Sequence, residues 1–333
     1  MGVAILSYSF YITEKIMQKR RLGRSELLIS PFVLGTNVFG HTVNEKTGFE
    51  ILDAFRESGF ETIDTANSYT MWAPGNKGGE SETIIGNWMK DRGARKEMII
   101  ATKVGWEITD EIKGLTRKQI ITEVENSLRR LRTDYIDLYQ SHRDDPGTPQ
   151  EETLSAYDEL VQQGKVRVIG ASNYSADRLA EALAISAEKG YPRYESLQPL
   201  YNLYDREDYE QNLEQFCLSE DLGVIPYFAI ARGFLTGKYR GDNDVSKSPR
   251  GNNVKNTYFN DRGWRILSAL DDISAEHSAT PVQIALAWLI ARPSITAPIS
   301  SATSPEQLKE LLGSAEISLT EDDIKKLDEA SAV

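Results

Sequence analysis

Apolar residues recur along the chain in two alternating rhythms. Short runs rich in β-branched and aromatic residues predict eight strands, at 32–35, 61–65, 98–104, 135–140, 166–171, 196–200, 224–227 and 296–299. Several of these runs are apolar almost throughout, the pattern of strands covered on both faces. Longer stretches with helical period lie between them. The segment 48–58 places Ile51, Leu52 and Phe55 on one face, and 118–131 gathers Ile121, Val124, Leu128 and Leu131. Residues 151–163 do the same with Leu154, Tyr157 and Leu160, and 177–188 repeats the pattern. Pro281 opens a helix over 282–291, and Ser304 stands as the N-cap of another. Strand–helix alternation repeated eight times predicts an α/β fold. Its sheet is parallel, its crossovers are right-handed, and it closes into a (β/α)8 TIM barrel.

Three segments exceed what that barrel needs. Residues 20–30 hold turn residues between two short β-like runs and predict a hairpin plugging the N-terminal end. Residues 264–275 and 320–330 predict two extra helices. No linker divides the chain, so 18–333 is expected to be a single domain. Residues 1–17 form a short N-terminal extension, with Met17 an alternative start.

Bulk properties narrow the function. The 333 residues suit a barrel, which commonly needs about 250 or more. Acidic residues outnumber basic ones, 50 to 38, for a net charge of −12, which disfavours nucleic acid and anionic lipid as partners. No apolar run reaches the roughly 18–20 residues that cross a bilayer. One cysteine, Cys217, permits no internal disulfide, and its place in an amphipathic stretch with Leu213 and Phe216 reads as structural. These features point to the cytoplasm. His41, His142 and His277 show no metal-binding spacing, and no metal is expected.

Barrel chemistry sits at the C-terminal strand ends. The second strand ends at Asp64-Thr65, with Tyr69 just beyond. The third ends at Thr102-Lys103 and the fourth at Ser141-His142. Both separations, 64 to 103 and 103 to 142, are 39 residues. Equal spacing repeats one position on consecutive strands, so Asp64, Lys103 and His142 converge on one side of the mouth beneath Tyr69. Lys103 beside a phenol is expected to favour the phenolate and lower the Tyr69 pKa. His142 is suited to orient a carbonyl oxygen, and Tyr69 to act as general acid. Nothing in the set accepts hydride, so a redox cofactor is required. As a metal site the group is poor: one carboxylate, one histidine, one lysine. Each residue taken singly reads equally as an ion pair, a loop cap or a surface aromatic.

At these positions the chain resembles the aldo-keto reductase family, in the bacterial branch near the potassium-channel β-subunits. Asp64-Thr65-Ala66-Asn67-Ser68-Tyr69 is similar to its DTAxxY segment, and Gly79-Glu80-Ser81-Glu82 to its GxSE helix start. Ala101-Thr102-Lys103 and His142-Arg143 match further family segments, and residues 164–173 are similar to GKxRxIGxSN. The resemblance runs from about residue 18 to the C-terminus. It implies a catalytic tetrad of Asp64, Tyr69, Lys103 and His142 reducing an aldehyde or ketone with NADPH, or alternatively NADH. It implies that Ser172, Asn173 and Gln198 hold the nicotinamide carboxamide and that Tyr227 stacks on its ring. Arg232, Gly233, Leu235, Gly237 and Lys238 would form a loop over the pyrophosphate. Ser301, Thr303, Gln307 and Glu310 would bind the adenosine end. Ser172-Asn173 reads equally as a helix cap, and Tyr227 as core.

Three positions depart from the family pattern. Thr303 replaces the usual phosphate-facing arginine, Leu311 replaces an asparagine, and Phe228-Ala229-Ile230 stands where relatives carry serine-proline-leucine. The first two weaken the expected preference for a 2′-phosphate. Phe39, Met71, Trp72 and Trp106 are candidates for an apolar wall around a small carbonyl substrate, and the glycine-rich loop 70–79 for a lid. Two other functions stay open: a cofactor-sensing interaction subunit, and a barrel isomerase or lyase acting on a phosphorylated metabolite. The sequence sets no oligomeric state.

Overall fold

A computed structural model describes residues 18–248 and 250–333. The extension at 1–17 lies outside the described residues. The described residues begin with a two-stranded hairpin, β1 (Arg20–Arg21) and β2 (Leu28–Ile29), as the sequence predicts. Eight parallel strands follow: β3 (Val33–Gly35), β4 (Thr62–Asp64), β5 (Ile99–Val104), β6 (Ile136–Ser141), β7 (Val166–Ser172), β8 (Tyr194–Gln198), β9 (Gly223–Val224) and β10 (Ile299–Ser300). They pair in chain order, and β10 returns to pair with β3. Backbone bonds from Thr296 to Val224 (2.8 Å) and from Ile299 to Pro226 (2.9 Å) join the last two strands, so the sheet curls into the expected barrel.

Helices cross between the strands: α1 (Glu45–Glu57), α2 (Glu80–Arg92), α3 (Arg117–Leu131), α4 (Gln150–Gln162), α5 (Ala176–Lys189) and α6 (Glu214–Ser219). Side-chain caps explain several starts. Asn44 accepts from the Thr47 amide, Thr116 from Gln119 and Ser175 from Arg178. The apolar stripe of α1 is buried as Ile51, Leu52 and Phe55, each such residue contributing about 1.5–3 kcal/mol of burial. Cys217 lies buried in α6 among apolar neighbours, and burial pushes its thiol up to about 12.

After β9 the structure holds more than expected. Short helical turns precede α7 (Gly251–Tyr258), and α8 (Asp261–His277) then leads to α9 (Pro281–Ala291). Residues 251–258 carry only two large apolar residues that become buried, Val254 and Tyr258, too few to announce a helix by period. Past β10, α10 (Pro305–Leu312) and α11 (Glu321–Ser331) complete the chain. The predicted inserted helix is α8 and the predicted final helix is α11, and the two pack on each other. The sixth strand also differs: it starts at Tyr194, two residues before the sequence places it.

The hairpin closes one end of the barrel. Leu22, Leu27 and Ile29 pack with Val33, Ala101, Leu138, Ile225, Ala297 and Ile299 from the early parts of the strands. Gly23 permits this approach: its φ is +59°, and a Cβ would stand 2.3 Å from the Glu195 carbonyl oxygen. Above that apolar layer the inward positions become polar, as Asp64, Lys103, Gln140 and Gln198, all buried.

Candidate active site

Strand register sets the site. Asp64, the last residue of β4, pairs with Ala101 of β5, while Lys103 of β5 pairs with Gln140 of β6. Each successive group therefore stands two residues further along than its neighbour. The expectation that equal spacing repeats one position is corrected: the three are not level but climb with the stagger of the barrel. A shift of two keeps every side chain on the inner face.

Lys103 and Asp64 are fully buried, their charges 2.7 Å apart. The Lys103 ammonium also donates to the Thr65 carbonyl at 2.8 Å and to the Tyr69 hydroxyl at 2.9 Å. All three of its protons are thus engaged. Tyr69 donates onward to Asp64 Oδ2 at 2.8 Å, and Asp64 Oδ1 accepts from Gln198 at 2.9 Å. Burial lowers the Lys103 pKa against the opposing pull of Asp64.

The Tyr69 pKa shifts opposite to the expectation from Lys103. Burial, and then the negative charge and hydrogen bond of Asp64, hold it well above 10. The proximity of the cation is as expected, but the phenol is the donor to a carboxylate, which stabilises its protonated form. Tyr69 therefore rests as a neutral acid.

His142 follows β6, its amide bonded to the Val104 carbonyl at 2.8 Å. The Ser68 hydroxyl is 3.3 Å from Nδ1, and the ring meets Tyr69 edge-on at 6.0 Å between centroids. Burial, with the cations Lys103 and Arg143, holds its pKa well below 6.5, so it is neutral at pH 7. In the tautomer in which Ser68 donates to Nδ1, the ring proton is on Nε2.

A second set joins this one. Asn173, at φ +56°, donates to the His142 carbonyl at 2.9 Å and accepts from the Tyr227 hydroxyl at 2.9 Å. Ser172 donates to the Gln198 carbonyl at 2.8 Å. Ser172, Asn173, Gln198 and Tyr227 thus lie in one network with the tetrad positions. Tyr227 sits just past β9, bridged to Leu200.

The loop after β9 carries three consecutive left-handed residues, Ala231, Arg232 and Gly233, at φ +47°, +58° and +95°. Such backbone costs about 1–3 kcal/mol at each non-glycine residue and concentrates at functional loops. The Arg232 Nε is buried without a partner, and the Lys238 ammonium folds over Gly233, 3.2 Å from where a Cβ would stand. A buried donor with nothing to bind, beside a second cation, fits an anionic group. Leu235 is different: its side chain is fully buried in the core and its amide is bonded to Ile230.

At the start of α10 the donors are engaged with each other. The amide and hydroxyl of Thr303 both point to Gln307 Oε1, at 3.0 and 2.7 Å, and Ser301 donates to Asn37 at 2.7 Å. The Glu310 side chain is exposed, and Leu311 is buried.

Of the four candidate wall residues, three border open space. Trp106 is 39% exposed with its ring 4.9 Å from that of His142, Trp72 is exposed, and Met71 is half-buried. Phe39 is a correction: it is fully buried, its ring against Gly48 of α1, because the bridge from Phe39 to Val43 turns it into the core. The loop at 70–79 is tied down by Asn76, which donates to the carbonyls of Gly40 (2.8 Å) and Thr70 (3.1 Å).

Sequence reasoning missed three supporting groups. Gln140 stands 3.5 Å from Asp64, Ser68 contacts His142, and Arg250 adds charge beside Arg232. Gln140 was within reach, since it lies two residues before His142 and so on the same strand face. Among the described residues, no cluster of three or more His, Cys, Asp or Glu side chains is placed to hold a metal, and no helix is long and apolar enough to cross a membrane.

The pattern of the Aldo/keto reductase family matches residues 31–332. The uncharacterized oxidoreductase YrpG of Bacillus subtilis (strain 168) is 34% identical over 322 residues, covering 94% of this chain and 95% of its own. The aldo-keto reductase YhdN of the same organism is 31% identical, covering 86% and 84%. A probable voltage-gated potassium channel subunit beta of Oryza sativa subsp. japonica is 32% identical, covering 88% and 90%. With the barrel, the polar set at its mouth and this match over nearly the whole chain, the protein belongs to the aldo/keto reductase family and is an NAD(P)H-dependent, carbonyl-reducing oxidoreductase.

Proposed function

We propose that the protein reduces a small aldehyde or ketone to the alcohol, reversibly, with Tyr69 as proton donor and NADPH as cofactor, NADH being the alternative. When bound, the dihydronicotinamide supplies from C4 the hydride that no side chain here provides. The observation that carries the reading is the buried chain from Lys103 through Tyr69 to Asp64, opening beside His142.

The roles follow from that chain. The neutral His142 Nε2–H orients the carbonyl oxygen next to the Tyr69 hydroxyl. Tyr69 releases its proton to that oxygen as negative charge develops there. Lys103, 2.9 Å away, stabilises the phenolate that remains, and Asp64 keeps Lys103 charged. In the reverse direction the same phenolate is the base.

Ser172, Asn173 and Gln198 are positioned for the carboxamide and Tyr227 for the ring. Arg232, Gly233, Gly237 and Lys238 are positioned for the pyrophosphate. Leu235 belongs to that loop only through its backbone. Ser301, Thr303, Gln307 and Glu310 take the adenosine end, where the Thr303 donors are already bonded to Gln307. Met71, Trp72 and Trp106 form the substrate wall. The reading takes 18–333 as one functional domain, and the lone buried thiol suits a reducing compartment such as the cytoplasm.

Tyr69→Phe tests it. The variant should lose carbonyl reduction by about 100-fold or more while still quenching NADPH fluorescence. Near-normal turnover in the variant would remove Tyr69 as the acid.

A further inference from the structure

Arg143 is a cation at the rim of the site. Its guanidinium carbon stands 5.5 Å from the centre of the Trp106 ring, which in turn lies 4.9 Å from His142. Its side chain is exposed, and among the described residues it makes no hydrogen bond or ion pair.

The acids around it are committed elsewhere. Asp144 is held by Arg178 in a two-pronged pair at 2.8 and 2.9 Å. Asp145 accepts from the Leu115 and Gly147 amides and the Thr148 hydroxyl, at 2.8, 3.0 and 2.7 Å. Glu107, next to Trp106, faces Lys113 at 3.7 Å. The chain carries a net charge of −12, and although the Arg143 charge also lowers the Asp145 pKa, its guanidinium stays exposed at the mouth rather than bonded to that carboxylate. Its field also reaches the site, because it helps hold His142 neutral.

From this placement we infer that Arg143 selects carbonyl substrates that carry an anionic group, a carboxylate or a phosphate, and that the Trp106 face supports the rest of the molecule. Guanidinium and carboxylate match as a planar two-pronged pair, and stacking on an aromatic ring fixes the guanidinium plane. The inference rests on the reductase reading and narrows its substrate class.

The test compares benzaldehyde with 2-, 3- and 4-carboxybenzaldehyde, whose reacting groups are alike and whose charges differ. At least one carboxylated isomer should exceed benzaldehyde in kcat/KM by about tenfold, the size of one charge-assisted hydrogen bond. Arg143→Gln should collapse that ratio, chiefly through KM, and Arg143→Lys should keep part of it. Raising the salt concentration should shrink the ratio in the unmodified enzyme. No isomer preferred, a ratio untouched by Arg143→Gln or by salt, or equal losses for charged and uncharged substrates would each overturn the inference. Equal losses would mean that Arg143 only props Trp106. Failure to reduce any of the four, benzaldehyde included, would instead overturn the reductase reading beneath it.

Discussion

The Tyr69 hydroxyl donates to Asp64 Oδ2 across 2.8 Å, so at rest the phenolic proton faces the buried carboxylate rather than the mouth of the barrel. The same oxygen accepts from Lys103 at 2.9 Å. In the proposed reaction, proton delivery requires the hydroxyl to rotate away from Asp64, with the Lys103 bond retained as the phenolate forms. The arrangement keeps the Tyr69 phenol protonated.

Asp64 should thus matter to stability and catalysis in separable ways. Asp64→Asn leaves the Lys103 charge buried without its counter-ion, which should destabilise the fold by about 3–5 kcal/mol, read as a lowered Tm. Adding Lys103→Met removes the stranded charge and should recover much of that loss, with reduction still abolished. An Asp64→Asn variant as stable as the parent would contradict the pairing.

His142 makes a prediction about pH. Its folded pKa lies well below the ordinary value of about 6.5, so between those two values the unfolded chain binds more protons than the folded one. Stability contributed by this residue is accordingly full above about 6.5 and falls as the pH drops below it. The kcat/KM profile for reduction should show no inflection near 6.5. An inflection there that disappears in His142→Gln would mean that the ring titrates normally.

Thr303 bears on nucleotide choice. Its hydroxyl and amide are both spent on Gln307, so the start of α10 offers little to a 2′-phosphate. Thr303→Arg should raise affinity for NADPH by about tenfold relative to NADH, through a charge-assisted contact absent from the parent. Fluorescence titrations with the two nucleotides would measure the ratio, and an unchanged ratio would place the 2′-phosphate elsewhere, with Arg250 beside Arg232 the first place to look.

Much of the barrel was legible because strand and helix write their periods directly into the chain. The run at 98–104 and the stripe Ile51–Leu52–Phe55 are local facts, and each became the expected element. Residues 251–258 were not legible, because only Val254 and Tyr258 are buried and the helix depends on the aromatic cluster beneath it, where Tyr258 stacks on Phe234. Phe39 was misread because an aromatic in a loop carries no mark of which way it faces.

By itself the sequence determined the fold class and which four groups could cooperate, since residue type and spacing are properties of the chain. The tertiary structure decided the register that sets Lys103 beside Gln140 rather than level with Asp64, and the burial that acts on every charge there. It thereby reversed the direction of the Tyr69 shift. Hydrogen-bond direction and desolvation depend on what surrounds a group in three dimensions, and a linear spacing of 39 residues holds neither.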